Sequence, residues 1–213
     1  MSTEPGAIHL GPRCTARSFA QFKGNVSDRA AGFPVGWRRV PTPLSCLVTM
    51  RLFVDTEFTD FIDCELLSIG IVSEDGREFY GERNDVDLSR CSDFARVAVL
   101  PQLGAPSAFA GTEEELSAAL KAWLAQFEAH APLLISVDYP MDWELFVYLV
   151  RDGDSLAMPP WIKGQSIRDA IDPRDVEAYW AENGRLAHHA LHDARANRHA
   201  FLRNVNRAEP ASP

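Results

Sequence analysis

Cysteines are few in this sequence, and their spacing forms no recognised site. Cys14, Cys46, Cys64 and Cys91 make no close pair and no Cys-x-x-Cys motif. Disulfide scaffolds need clustered cysteines, and structural zinc sites need paired ones. The pattern therefore favours neither kind of site and is typical of a protein of the reducing cytoplasm.

Long apolar runs are also missing. No stretch of the 213 residues approaches the roughly 18 consecutive apolar residues of a membrane span. The N-terminus lacks the apolar segment of a secretory signal, although its arginines leave a transit peptide as an alternative. With 46% hydrophobic residues, the sequence predicts one soluble globular domain with a sizeable core and no membrane association.

Positive charge is scarce and unevenly distributed. The chain has 21 Lys and Arg against 30 Asp and Glu, a net charge of -9, which argues against a protein that coats long duplex nucleic acid. Residues 1–49 contain six basic and two acidic residues, with five Pro and five Gly, whereas residues 50–213 contain fifteen basic and twenty-eight acidic residues. We interpret 1–49 as a flexible extension, upstream of a true start at Met50.

Residues 50–207 carry the pattern of an α/β domain, and 208–213 form a short tail. Apolar runs at 52–54 and 66–72, with Asp75-Gly76 before a further run, predict three strands and a hairpin. Another buried strand is predicted at 133–137.

Four helices are predicted between and after these strands. A capping box at Thr112 to Glu115 begins a helix over about 113–130, and Pro140 begins a second. The third runs from Pro173 to Glu182 before Asn183-Gly184, and the fourth from Leu191 to Leu202. The sequence therefore predicts a mixed β-sheet flanked by α-helices.

The first candidate site is Asp55-Thr56-Glu57, at the end of the first strand. Residues i and i+2 of a strand point to the same side, so the two carboxylates can share a divalent cation. Asp-x-Glu occurs four times in the chain, and only this copy directly follows an apolar strand. Phe58 comes next and is a candidate for stacking on a base. The alternative, that Phe58 is an aromatic side chain of the core, is equally well supported.

Two further segments carry acids and histidines. Asp142 is the third residue of the predicted second helix, and Asp138 is a competing carboxylate at the end of the preceding strand. Later, His188 and Asp193 are five residues apart, and they converge only if His188 precedes the last helix and Asp193 lies within it. None of these motifs predicts a function by itself.

Together, in this order, the motifs resemble those of the DEDDh exonucleases, which have a ribonuclease H-like fold. Asp55 and Glu57 match the first motif, Asp142 the second, and His188 with Asp193 the third. The superfamily includes ribonuclease T, oligoribonuclease and polymerase proofreading subunits. The resemblance spans residues 51–203 and leaves 1–49 unexplained.

The run Asp55-Thr56-Glu57-Phe58, followed by Leu66 to Gly70, looks most like a small actinobacterial-type branch described as polyadenylate-specific 3′–5′ exoribonucleases. That resemblance implies single-stranded RNA with a free 3′ end as the substrate, an adenylate preference as an option, and a homodimer. Asp138 departs from the Asn found in many members, which leaves Asp138 as an alternative ligand to Asp142 and places it near the substrate. His189 is the corresponding alternative to His188.

The resemblance also implies a mechanism. Four carboxylates from separate segments repel one another unless cations bind between them, which indicates two Mg²⁺ or Mn²⁺ ions. By analogy with the family, Asp55 bridges the ions, Glu57 and Asp193 complete one site, Asp142 supports the other, and His188 is the general base. The product is a nucleoside 5′-monophosphate.

Three alternatives remain open at this point. A DNA 3′–5′ exonuclease would use the same residues, and an idle nucleotide- or RNA-binding module would have the same fold without turnover. A zinc hydrolase would use His188, His192 and an acid, although the Glu of a His-Glu-x-x-His motif is missing.

Overall fold

The computed structural model describes residues 49–62, 64–104, 108–128, 130, 132–151, 158–184 and 187–208. Residues 1–48 of the predicted extension and 209–213 of the predicted tail lie outside the described residues. The proposed division of the chain at residues 50 and 207 therefore stays a prediction.

The fold begins with three strands, β1 (Met50–Phe58), β2 (Leu66–Ser73) and β3 (Glu78–Arg83), which pair antiparallel in sequence order. The turn between β2 and β3 contains Asp75 and Gly76, and Gly76 has φ +93°. Glycine adopts this left-handed conformation without steric cost because it has no Cβ. The three predicted strands and the Asp-Gly hairpin are therefore confirmed.

Strands β4 (Phe109–Gly111), β5 (Leu133–Val137) and β6 (Ile162–Ser166) extend the sheet to the order β4-β3-β2-β1-β5-β6. The sheet is mixed, since β5 is parallel to β1, β6 to β5, and β4 to β3. The sequence predicts β5 but not β4 and β6. Both are edge strands, short and mostly exposed, so they lack the apolar run that marks a buried strand.

Helices α1 (Glu113–Leu124) and α2 (Pro140–Val150) cover one face of the sheet. The predicted capping box is present, with Thr112 Oγ1 accepting from Glu115 N and Glu115 Oε2 accepting from Thr112 N. The helix ends at Leu124 rather than near residue 130, because its last turn tightens into a 3₁₀ turn over 125–127. The main core lies between this face and the two helices, and its buried members include Leu52, Val54, Ile69, Ile71, Leu116, Leu120, Ile135 and Phe146.

Helices α3 (Pro173–Glu182) and α4 (Ala190–Ala208) lie on the other face, where α4 contacts β1 and β2 and α3 packs on α4. Phe53 points to this side, and its ring centroid is 5.5 Å from that of Phe201 in α4. The bounds of α3 match the prediction, whereas α4 is longer. The predicted α/β architecture, a mixed β-sheet flanked by helices, is confirmed.

None of the helices in the described part of the chain has the length and apolar character that a membrane crossing requires.

Candidate active site

Asp55 and Glu57 lie at the end of β1, on the face that α4 covers. Side chains of a strand alternate, so both carboxylates follow Phe53 towards α4 while Thr56 points to the α2 side. Glu57 is buried and Asp55 partly buried. The strand thereby places the two acids of the first motif together, as predicted.

Asp142 is held by Thr56. The Thr56 backbone N and Oγ1 both donate to Asp142 Oδ1, at 3.0 and 2.7 Å. The residue is only 2% exposed, and its other oxygen, Oδ2, is buried and has no hydrogen-bond partner among the described residues. An unpartnered buried carboxylate oxygen is costly in a folded protein, so this atom is suited to a bound cation.

Asp138 follows β5 and lies beside Asp142. Asn197 Nδ2 of α4 donates to Asp138 Oδ1 at 2.7 Å. One oxygen from each of Asp55, Asp138 and Asp142 lies within 4.8 Å of the others. We call these three residues the α2 group. The two carboxylates that the sequence left as alternatives are therefore both in the cluster.

His188 and Asp193 meet at the start of α4. The helix begins at Ala190, so His188 precedes it and Asp193 lies in its first turn, as their spacing requires. His188 N donates to Asp193 Oδ2 at 2.8 Å, and Trp180 Nε1 donates to Oδ1 at 2.8 Å. One ligand atom from each of Glu57, His188 and Asp193 lies within 4.8 Å of the others. We call these three residues the α4 group.

His188 has an unusual backbone conformation, with φ +66°. This region is uncommon for residues other than glycine, and here it turns the chain into α4. Gln102 Nε2 supports the turn by donating to the carbonyl oxygens of Ala187 and His188, at 2.8 and 3.0 Å. The ring of Phe94 meets the exposed imidazole edge-on, with centroids 4.8 Å apart.

Gly70 lets α4 approach the sheet closely enough to complete the cluster. It pairs with Asp55 in the β1–β2 register. A Cβ built on Gly70 would overlap the backbone of Ala190 and Leu191. No larger residue fits without moving α4, so this glycine sets the distance between Asp55 and the turn that carries Asp193.

Crowding and burial change the acidity of the clustered carboxyls. Burial first, and then the neighbouring carboxylates, raise the pKa of Glu57 to about 8 and hold that of Asp55 well above its usual range. Burial likewise raises the pKa of Asp142 to about 8 and that of Asp193 to about 7. The ionised cluster is therefore unfavourable at neutral pH unless cations neutralise it.

The donor set fits hard divalent cations. It consists mainly of carboxylate oxygens, which Mg²⁺ and Mn²⁺ prefer, and the unpartnered Oδ2 of Asp142 is an open ligand position. The pKa of Asp138 is also raised, chiefly by burial. Partial burial lowers the pKa of His188, so its imidazole is neutral at pH 7 and able to accept a proton.

The arrangement does not favour a zinc pair of His188 and His192. The His192 ring lies 4.9 Å from that of His189, which in turn stacks on Tyr80 at 4.6 Å. Among the described residues, His192 belongs to no group of three or more metal-ligating side chains.

Phe58 packs partly against the main core, and its ring meets that of Phe61 edge-on at 5.2 Å. Phe61 is 66% exposed and presents the larger free surface. Phe61 was not predicted from the sequence, and neither were the hydrogen-bond partners Thr56, Gln102, Trp180 and Asn197. Thr56 could have been selected from the sequence, because it lies between two candidate ligands. The other three partners lie in distant segments, so no local pattern points to them.

Comparisons with known proteins gave matches by sequence and by structure. The chain is 48% identical over 59 residues to a 3′–5′ exoribonuclease of Mycobacterium tuberculosis strain H37Rv and, equally, to its counterpart in strain CDC 1551. The match covers 27% of this chain, and the chain spans 35% of the length of these curated relatives. No family model matches.

A solved structure of exonuclease I superposes on the chain with a TM-score of 0.52 and 14% sequence identity. The superposition covers 76% of this chain and 42% of that one. The fold is ribonuclease H-like. The ribonuclease H-like sheet that the motifs implied is therefore confirmed, and the site lies at the end of its central strand β1.

Proposed function

We propose that this protein is a metal-dependent 3′–5′ exoribonuclease, which releases nucleoside 5′-monophosphates from single-stranded RNA with a free 3′ end. The observation that carries the proposal is the meeting of the α2 and α4 groups at the end of β1. There Asp142 Oδ2 is buried and finds no hydrogen-bond partner in the part of the chain that the structure describes. The partial match to relatives named 3′–5′ exoribonuclease supports the same activity.

Asp55, Glu57, Asp142 and Asp193 would hold two Mg²⁺ or Mn²⁺ ions. When bound, such ions stabilise the charge on the attacking and leaving oxygens of an in-line phosphodiester displacement. Thr56 fixes the direction of the Asp142 carboxylate, and Trp180 fixes that of Asp193. The protein's own contribution is therefore a rigid set of oxygen ligands prepared before RNA binds.

His188 is the proposed general base. Its neutral imidazole takes a proton from the attacking water while the water oxygen bonds to phosphorus. The bond from phosphorus to the 3′ oxygen of the preceding nucleotide breaks, that oxygen takes a proton from solvent, and His188 releases its proton to solvent. The products are a nucleoside 5′-monophosphate and an RNA one nucleotide shorter, with a new 3′ hydroxyl.

Phe58 is the proposed contact for the terminal base, and Phe61 extends the aromatic surface beside it. A preference for adenylate, a homodimer and a cytoplasmic location stay predictions from the sequence.

The test is a gel assay of matched RNA and DNA oligomers, labelled at the 5′ end, in Mg²⁺, Mn²⁺, Zn²⁺ or EDTA. We expect stepwise shortening of RNA in Mg²⁺ or Mn²⁺, no shortening of RNA blocked by a 3′ phosphate, and loss of activity in Asp55→Ala and His188→Ala. Glu144→Gln is a matched control, because Glu144 lies outside both groups.

Three results would contradict the proposal. Shortening that persists in EDTA would exclude the metal mechanism, and faster degradation of DNA would favour a DNA exonuclease. Tight RNA binding without turnover in Mn²⁺ would indicate a binding module.

A further inference from the structure

Asp138 has no role in the proposed ligand set, although it lies inside the α2 group. We infer that Asp138 binds directly to the cation held by Asp55 and Asp142, so that this half of the site has three carboxylate ligands. The inference rests on the proposed function and extends it. It also differs from the substrate-side role that the sequence suggested for this residue.

The first support is position. One Asp138 oxygen lies within 4.8 Å of oxygens from Asp55 and Asp142, so all three can contact one ion. Asp138 is at the end of β5, which is parallel to β1 and adjacent to it in the sheet. The ends of two neighbouring parallel strands therefore contribute carboxylates to the same place.

The second support is the buried oxygen of Asp142. Thr56 donates twice to Oδ1, whereas Oδ2 has no hydrogen-bond partner within the described ranges, in a residue that is 2% exposed. The α2 group is therefore more than an acidic patch on a solvated surface, because one of its oxygens is buried and lacks the partner that a cation would supply.

The third support is the hydrogen bond that orients Asp138. Asn197 is 4% exposed, and its Nδ2 donates to Asp138 Oδ1 at 2.7 Å. Asn197 follows Asp193 by four residues on α4, so the two share one face of the helix. An uncharged amide holds the carboxylate in place without neutralising it, as partners of metal ligands commonly do.

A third carboxylate changes what the site can bind. Three carboxylates around one divalent ion leave a net negative charge, which the nearby positive charge of Arg168 offsets in part, whereas two carboxylates would only balance the ion. Asp138 should therefore strengthen cation binding, and its removal should lower the affinity for one of the two ions selectively.

The experiment is a calorimetric titration of Mn²⁺ into the RNA-free protein, with wild type, Asp138→Asn and Glu144→Gln in parallel. Asp138→Asn keeps the shape and the oxygen that accepts from Asn197 but removes the charge. We expect two Mn²⁺ sites in the wild type and in Glu144→Gln. In Asp138→Asn we expect one site weakened by more than about 10-fold and the other unchanged.

A two-site isotherm in Asp138→Asn identical to that of the wild type would overturn the inference and leave the proposed function standing. A wild type that binds no Mn²⁺ would overturn both. If Asp138→Asn does not fold, Asn197→Ala provides the second test, because it leaves the carboxylate but removes its donor. We expect it to weaken the same site by about 10-fold, and an unchanged isotherm would again contradict the inference.

Discussion

The α2 and α4 groups meet at the end of β1 but are held in different ways. Asp142 of the α2 group is buried against the main core and receives two hydrogen bonds from the neighbouring strand. His188 of the α4 group is exposed, on a turn with positive φ that Gln102 supports from another segment. The α2 group is thus held by hydrogen bonds at a buried position, whereas the α4 group combines two proposed ligands, Glu57 and Asp193, with an accessible base.

The largest effect is expected from Gly70→Ala, which should disrupt both groups. The new Cβ would overlap the backbone of Ala190 and Leu191, so α4 must move. We expect the free energy of unfolding in urea to fall by about 3 kcal/mol and activity to be lost. Gly81→Ala is the control, because its Cβ would overlap the end of the Leu116 side chain and contact the Phe79 ring, rather than overlap a backbone. An equal loss in both variants would contradict the close-approach argument.

The second prediction concerns pH and metal. Folding raises the pKa of Glu57 and Asp142 to about 8, so the native state binds more protons than the unfolded state between about pH 4.5 and 8. Stability of the metal-free protein should therefore decrease as pH rises through this window. We expect the melting temperature in EDTA to be lower at pH 8 than at pH 5.5. Saturating Mg²⁺ should remove or reverse the trend, and a metal-free protein that is more stable at pH 8 would refute it.

The third prediction tests the α2 group. Thr56→Val keeps the side-chain shape but removes the Oγ1 donor to Asp142. We expect the turnover rate at saturating Mg²⁺ to fall by about 10- to 100-fold, as for other partners of metal ligands. Thr56→Ser keeps the hydroxyl and should restore most of the rate. Equal rates for the two variants would show that the hydroxyl has no part in positioning Asp142.

The fourth prediction tests the α4 group. Trp180→Phe removes the Nε1 donor to Asp193, while the bond from His188 N remains. We expect a decrease in turnover of about 10-fold, at the lower end of the range for such partners. Trp123→Phe, in α1, is the control, because Trp123 contacts Phe79 and Phe127 rather than the site. A decrease in turnover larger than that of Thr56→Val would contradict the expectation that turnover depends more on the partner of Asp142 than on the partner of Asp193.

The smallest effect is expected from Gln102→Ala. It removes the donor to the carbonyls of Ala187 and His188 but touches no proposed ligand. Turnover should fall several-fold while Mn²⁺ affinity stays unchanged, because only the base loses its support. A parallel loss of Mn²⁺ affinity, measured by calorimetry, would show that the two groups are coupled more closely than their contacts indicate.

The elements that follow local patterns could be predicted from the sequence. Short apolar runs and Asp-Gly indicated the β1–β3 strands, Thr112 to Glu115 indicated the start of α1, and Pro173 to Glu182 indicated α3. These signals come from residues a few positions apart, whose geometry the backbone sets directly. The short edge strands β4 and β6 lack such a signal, because most of their residues are exposed and they contain no run of buried apolar side chains.

The sequence by itself also determined which residues are candidates for the site, since Asp55, Glu57, Asp142, His188 and Asp193 could be selected by type and order. Only the tertiary structure decided their surroundings. Thr56 and Asp142 are 86 residues apart, yet they share hydrogen bonds because α2 packs beside β1. Asp138 joins the α2 group rather than replacing Asp142, because β5 ends next to β1 and Asn197 of α4 holds its carboxylate. Such contacts depend on how distant segments pack, and no local spacing specifies that packing.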